Sequence, residues 1–179
     1  QAGSDTQNAL EHAKQALKKA RLFEVKDLKL PPDFETLAKA QTQVQLFEQA
    51  HNLAHEHIAH FERLSPRLQG ILQSGKDVTH AQYDAALQHI DRCRQQLQTV
   101  FQDVDVLLAP SAQGEAPENL ENTGDPVFCR IWTVLHTPAI NVPAGLGAKG
   151  MPIGLQVVGA VGADALTLAA AHAVHQHLT

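Results

Sequence analysis

Nucleophilic catalysis needs a hydroxyl or thiol held beside a base. The chain offers four serines, Ser4, Ser65, Ser74 and Ser111, and none stands in a G-x-S-x-G setting. Ser4 and Ser65 occupy positions where helix N-caps are expected. Ser111 follows a strand end and can line a cleft, but no base stands at a readable spacing from it. The cysteines Cys93 and Cys129 form no short-spaced pair. Nothing around Cys129 signals an activated thiolate, so a packed, inert thiol is the expectation for it.

Metal chemistry has more raw material, because eleven histidines are present. His51 and His55 share a helical face, as do His57 and His60. Spacing of this kind is common on helices and assembles no ligand set by itself. His55-Glu56 opens like the zinc-protease helix sequence, yet Ala59 stands where the second histidine is required. His172, His175 and His177 fall in the last turns of a helix, where partial positive charge suits the dipole. Gly145, Gly147 and Gly150 match G-x-G-x-x-G. A dinucleotide site would need a helix to begin at the third glycine, and Met151-Pro152 leads into a strand pattern instead. No cofactor and no metal are therefore expected.

The elements that would position these residues follow from hydrophobic periodicity. Ser4 and Gln7 have capping-box spacing, and Ala9, Ala13, Ala16, Leu17 and Ala20 fall on one face of a first helix. Phe23 and Val25 alternate with charged residues as in a short strand, before Pro31 and Pro32. Apolar positions from Phe34 to about Phe61 recur at three and four, which predicts one long helix. Ser65-Pro66 starts another that Gly75 can end, and Thr79 with Gln82 caps a third. The run Val104 to Ala109 reads as a strand buried on both faces. A long polar connection over 110–125 follows, of the length that usually carries function. Asp125 then caps a short helix beginning at Pro126. Ala139–Val142 and Ile153–Val158 read as strands, and Ala163–Leu178 as a closing helix. With Phe23–Val25, that makes four strands.

The chain has 179 residues, 44% of them apolar, and a formal net charge of −5 without a basic block. That is enough to build a core, and it excludes the clustered basic face of a nucleic-acid binder. No stretch approaches a membrane span, and two separated cysteines point to a reducing cytoplasm. The start at Gln1 rather than Met implies processing or a piece of a larger protein.

Five stretches then occur in one order: Asp105-Val-Leu-Leu-Ala-Pro-Ser111, Ala116-Pro117, Thr123-Gly-Asp-Pro-Val-Phe-Cys-Arg-Ile-Trp-Thr133, Thr137-Pro-Ala-Ile-Asn-Val-Pro-Ala-Gly145 and Gly150-Met-Pro-Ile-Gly-Leu-Gln-Val-Val-Gly159. In order and spacing they resemble the C-terminal region of the amidase-signature family. The resemblance implies an α/β fold, the C-terminal part of a mixed sheet with helices packed around it. It makes residues 1–179 one C-terminal segment, mainly helical over 1–103, with 104–179 completing the sheet. Members of that family hydrolyse carboxamides with a Ser-cisSer-Lys triad, all of it N-terminal to the region matched, so no catalytic residue carries over. Thr123, Asp125, Phe128 and Trp132 resemble residues flanking the acyl side of the substrate cleft, while packing of Phe128 and Trp132 into the core is the alternative. His136 stands where many relatives carry Gly, and Cys129 where Asn is common. The wording around Thr123 and Trp132 is nearer to free-standing amide hydrolases than to the amidase-type component of the tRNA-dependent amidotransferases. The implied partners are the N-terminal catalytic part and a small amide substrate, with self-association through unpaired sheet edges. A non-catalytic binding or assembly module with the same fold is the rival reading.

Overall fold

The computed structural model describes residues 2–119 and 121–178. Gln1, Leu120 and Thr179, on which the readings of the chain's start, its long connection and its end fell, lie outside the described residues. The chain divides into two compact units, one of residues 1–30 and 96–179, the other of residues 31–95.

In the first unit, three antiparallel strands form a sheet in the order β1-β3-β2: β1 (Val106–Pro110), β2 (Ala139–Leu146) and β3 (Pro152–Gly159). Val106 pairs with Gly159 and Pro110 with Leu155, while Ala139 pairs with Val158 and Asn141 with Gln156. Helices α1 (Ser4–Ala20) and α7 (Asp164–Leu178) cover one face, where Ala13, Leu17, Val142, Leu155, Val157, Ala171 and Val174 form the core. The short helix α6 (Val127–Leu135) lies between β1 and β2 in the chain. These elements give the expected α/β architecture, with helices around a small antiparallel sheet.

Several local expectations are corrected. The strand with a continuous buried run is β3, over Leu155 to Gly159, whereas β1 is half-buried from end to end because it lies at the edge of the described sheet. Phe23 and Val25 join no ladder; they pack partly buried against the core from a segment with no assigned helix or strand, leaving three strands among the described residues. Ser4 is not a cap. Gly3 takes that place because its N–H is drawn to Gln113 O at 2.6 Å, and the Gln7 amide donates to Ala2 O instead.

The second unit is helical: α2 (Leu37–Asn52), α3 (Ala54–Ala59), α4 (Pro66–Lys76) and most of α5 (His80–Val100). The single long helix expected over 34–61 is therefore interrupted. Pro32–Thr36 forms a 3₁₀ turn, and Leu53 leaves helical geometry at φ −104° and ψ 24°. Asn52 is a weak helix former, and the His51 ring bonds back to Phe47 O at 2.8 Å, so the last turn of α2 has local competition. The caps further on form as read: Ser65 accepts from Leu68 N, and Thr79 and Gln82 bond reciprocally at 2.8 and 3.2 Å.

Gly75 does not end α4, which continues to Lys76. Its function is close approach, since a Cβ there would collide with the Leu46 carbonyl of α2. Gly70 in the same helix has open space around it. Gly70→Ala should raise stability by about 0.5–1 kcal/mol through helix propensity alone. Gly75→Ala should instead lower it by about 1–3 kcal/mol through overpacking. Urea denaturation of the two variants checks the pair, and equal shifts in midpoint would contradict the close-packing role.

Candidate functional site

A buried polar side chain must find partners or cost stability. Gln156, at the middle of β3, is only 4% exposed. Its amide donates to Pro110 O at 2.7 Å and to Phe128 O at 2.8 Å. One side chain thus ties the end of β1 and the first turn of α6 to the central strand. Beside it, the Asn141 side chain crosses over Gly154, where any Cβ would collide with it, and its Oδ1 accepts the Ser111 hydroxyl at 2.5 Å. The Cys129 thiol donates to Ser111 O at 3.3 Å. Ser111, Asn141, Gln156 and Cys129 therefore form one polar cluster at the foot of α6.

Helix α6 carries two of the four residues expected at a pocket wall. Phe128 is half-buried and Trp132 buried, one turn apart on the same face. The Trp132 indole N–H is buried with no acceptor among the described residues. Thr123 and Asp125 are exposed in the preceding connection. Asp125 does not cap α6, because Pro126 is the N-cap and no side chain bonds there; its carboxylate faces Arg130 at 3.7 Å. His136 ends the helix with φ 59° and ψ 33°, its N–H directed to Thr133 O. Left-handed geometry at this position is the physical reason glycine suits it. Cys129 is exposed rather than packed, and Cys93 is the fully buried thiol, its pKa pushed up by burial.

No serine in the described chain meets a base. Ser65 caps α4, Ser74 donates to Gly70 O, and Ser111 gives its proton to an amide oxygen. A hydroxyl–imidazole contact that the sequence reading missed lies in the second unit, where Thr36 Oγ1 and His89 Nε2 are 3.0 Å apart beside a groove of about 250 Å³. Its polarity runs against base catalysis. Arg92 can only donate to His89 Nδ1, so Nε2 carries the imidazole proton, while the Thr36 hydroxyl donates to Asp33 O. Among the described residues, no group of three or more His, Cys, Asp or Glu could hold a metal ion.

Of the glycines in the 145–150 run, Gly145 lies in β2 and Gly147 and Gly150 in the β2–β3 turn. Glu115 seats its carboxylate on the backbone amides of Lys149 and Met151, at 3.0 and 2.8 Å, and Lys149 Nζ meets Glu118 at 2.6 Å. A bond from Lys149 holds the Glu118 carboxyl below the usual range, and both groups are solvent-exposed.

Residues 1–168 match the family Amidase, and the chain belongs to it. The A subunit of glutamyl-tRNA(Gln) amidotransferase from Gluconobacter oxydans is 36% identical over 105 residues, covering 52% of this chain and 21% of that protein. The chain thus spans about a fifth of the length of the curated relatives it matches. A crystal structure of an amidase superposes with a TM-score of 0.90 at 26% identity, over 99% of this chain and 43% of the other. A fatty acid amide hydrolase shares the fold, with a TM-score of 0.81 at 17% identity over 99% and 37%.

Gln156→Leu removes both bonds and leaves two carbonyls to find other partners, so a loss of about 2 kcal/mol is expected in urea denaturation; a loss below about 0.5 kcal/mol would show that the clasp does not matter. For Glu118, the lowered folded pKa means that the pair contributes above the unfolded carboxyl's pKa and is lost as pH falls through the folded one. NMR titration should find the Glu118 midpoint below that of an ordinary glutamate, and Lys149→Met should return it to normal.

Proposed function

We propose that this chain is the C-terminal portion of an amidase that hydrolyses the C–N bond of a carboxamide, and that it supplies scaffold and pocket wall. In this reading the acylating serine, the relay serine and the lysine of a Ser-cisSer-Lys mechanism lie outside residues 1–179. The observation that carries it is the extent of the structural match. Almost all of this chain superposes on an amidase, yet it accounts for only 43% of that protein. The state of the hydroxyls supports the same conclusion, because the Ser111 proton is committed to an amide oxygen that cannot act as a general base.

Thr123, Asp125, Phe128 and Trp132 are the proposed pocket residues. Support comes from their place on a long connection and the helix it feeds, the usual position of recognition groups on a rigid scaffold. The unmatched Trp132 N–H fits a wall whose remaining partner comes from substrate or from another part of the protein. The N-terminal catalytic part is the proposed partner, placed against the outer edges of β1 and β2, which pair with no strand among the described residues. Without that part, the same edges favour self-association. No described helix is long and apolar enough to cross a membrane. A reducing cytoplasm is the proposed location, on the ground of two free thiols.

One observation favours a second reading. The curated relatives at 33–37% identity are A subunits of glutamyl-tRNA(Gln) amidotransferase, so a part in amide transfer is the alternative to hydrolysis by a free-standing amidase. Turnover of simple aryl and alkyl amides by the natural polypeptide, with and without glutamyl-tRNA(Gln), separates the two.

Under the main reading, residues 1–179 alone should release no ammonia or amine from any amide, while the natural polypeptide carrying them does. Phe128→Ala in the latter should raise KM about tenfold, the scale expected for losing one apolar pocket contact. Turnover by the isolated chain would refute the proposal.

A further inference from the structure

Successive backbone N–H groups in a tight turn make a concavity that favours an anion. The β2–β3 turn is of this kind, and a carboxylate of the chain itself fills it. Lys149 N–H donates to both Glu115 oxygens, at 3.0 and 3.2 Å, and Met151 N–H donates at 2.8 Å. Ala148 N–H is taken by Asp5 at 3.0 Å. Gly147 completes the seat by having no side chain, since a Cβ there would collide with Glu115. The glycine run thus accommodates a carboxylate that arrives from the long connection.

The rest of that connection is tied in sequence to this seat. Gln113 O accepts from Gly3 N–H at 2.6 Å and from Thr6 Oγ1 at 3.2 Å. Beyond Glu115, Pro117 neighbours Gly124, whose missing Cβ would lie 3.8 Å from the proline ring. Gly124 has φ 87°, its N–H bonds to Asn122 Oδ1 at 2.9 Å, and Thr123 and Asp125 flank it. Glu115 is thus two residues from Pro117, which lies beside Gly124, the residue between the two exposed pocket candidates.

We propose that Glu115 is a positioning residue that latches the 111–125 connection onto the β2–β3 turn and so sets the placement of Thr123 and Asp125. The inference rests on reading those two residues as part of the substrate pocket. The charge matters as well as the shape, because a carboxylate accepts backbone N–H bonds more strongly than a neutral amide does.

The test uses the natural polypeptide with Glu115 intact, Glu115→Gln and Glu115→Ala, reading amide hydrogen exchange together with kcat and KM for a simple carboxamide. Glu115→Ala should speed exchange at Lys149 and Met151 about tenfold or more, and should speed it at Gly124 too. KM should rise while kcat stays within about twofold, and Glu115→Gln should fall between. Unchanged exchange at Lys149 and Met151 would overturn the latch. Faster exchange there with Gly124 unaffected would overturn the positioning role, as would an unchanged KM in Glu115→Ala when Asp125→Ala raises it. If neither Glu115→Ala nor Asp125→Ala moves KM, the pocket reading fails, and the exchange at Lys149 and Met151 still decides the latch.

Discussion

The central constraint is the burial of β3. Every residue from Leu155 to Gly159 is buried, so this strand must satisfy its polar groups within the protein. Its backbone does so through ladders on both sides. Its one polar side chain in that stretch, Gln156, does so by collecting carbonyls from β1 and α6. The position of α6, and of Phe128 and Trp132 on it, follows from that requirement. Gly159 obeys the same logic, since a Cβ there would collide with the Thr167 hydroxyl of α7. Close approach of the covering helix and capture of α6 are two consequences of one buried strand.

The second constraint is the long connection after β1. A segment of this length loses much conformational entropy when fixed, and its described residues form no helix or strand to offset that. It is held by side chains and turns: Glu115 on the hairpin amides, Gln113 against α1, and Asn119 and Asn122 accepting nearby N–H groups. A glycine-rich run that superficially matched a phosphate-binding fingerprint is thereby accounted for by an anion from the same chain.

Much of the architecture was legible in the sequence because its signals are local. The reciprocal Thr79–Gln82 cap, the Ser65-Pro66 start, the β2 and β3 runs and the closing helix all rest on residues within a few positions of one another. What was misread depends on distant partners. Ser4 lost its cap to a bond between Gly3 and Gln113, Phe23 and Val25 found a core but no neighbouring strand, and Gly75 answers to Leu46 rather than to its own helix end. The site divides in the same way. Thr123, Asp125, Phe128 and Trp132 came from family resemblance, whereas Gln156, Asn141 and Glu115 carried no local mark. A glutamine inside an apolar strand and glycines facing long polar side chains were the traces available.

Carbonyl attack by an amidase of this type needs an activated hydroxyl, and the proposed division of labour puts it elsewhere than residues 1–179. The most direct test is reaction of the natural polypeptide with a fluorophosphonate, which labels activated serines, followed by mapping of the modified peptide. The account predicts an adduct on a serine outside these residues and none on Ser4, Ser65, Ser74 or Ser111. An adduct on Ser111 that forms in step with loss of amide hydrolysis would contradict it.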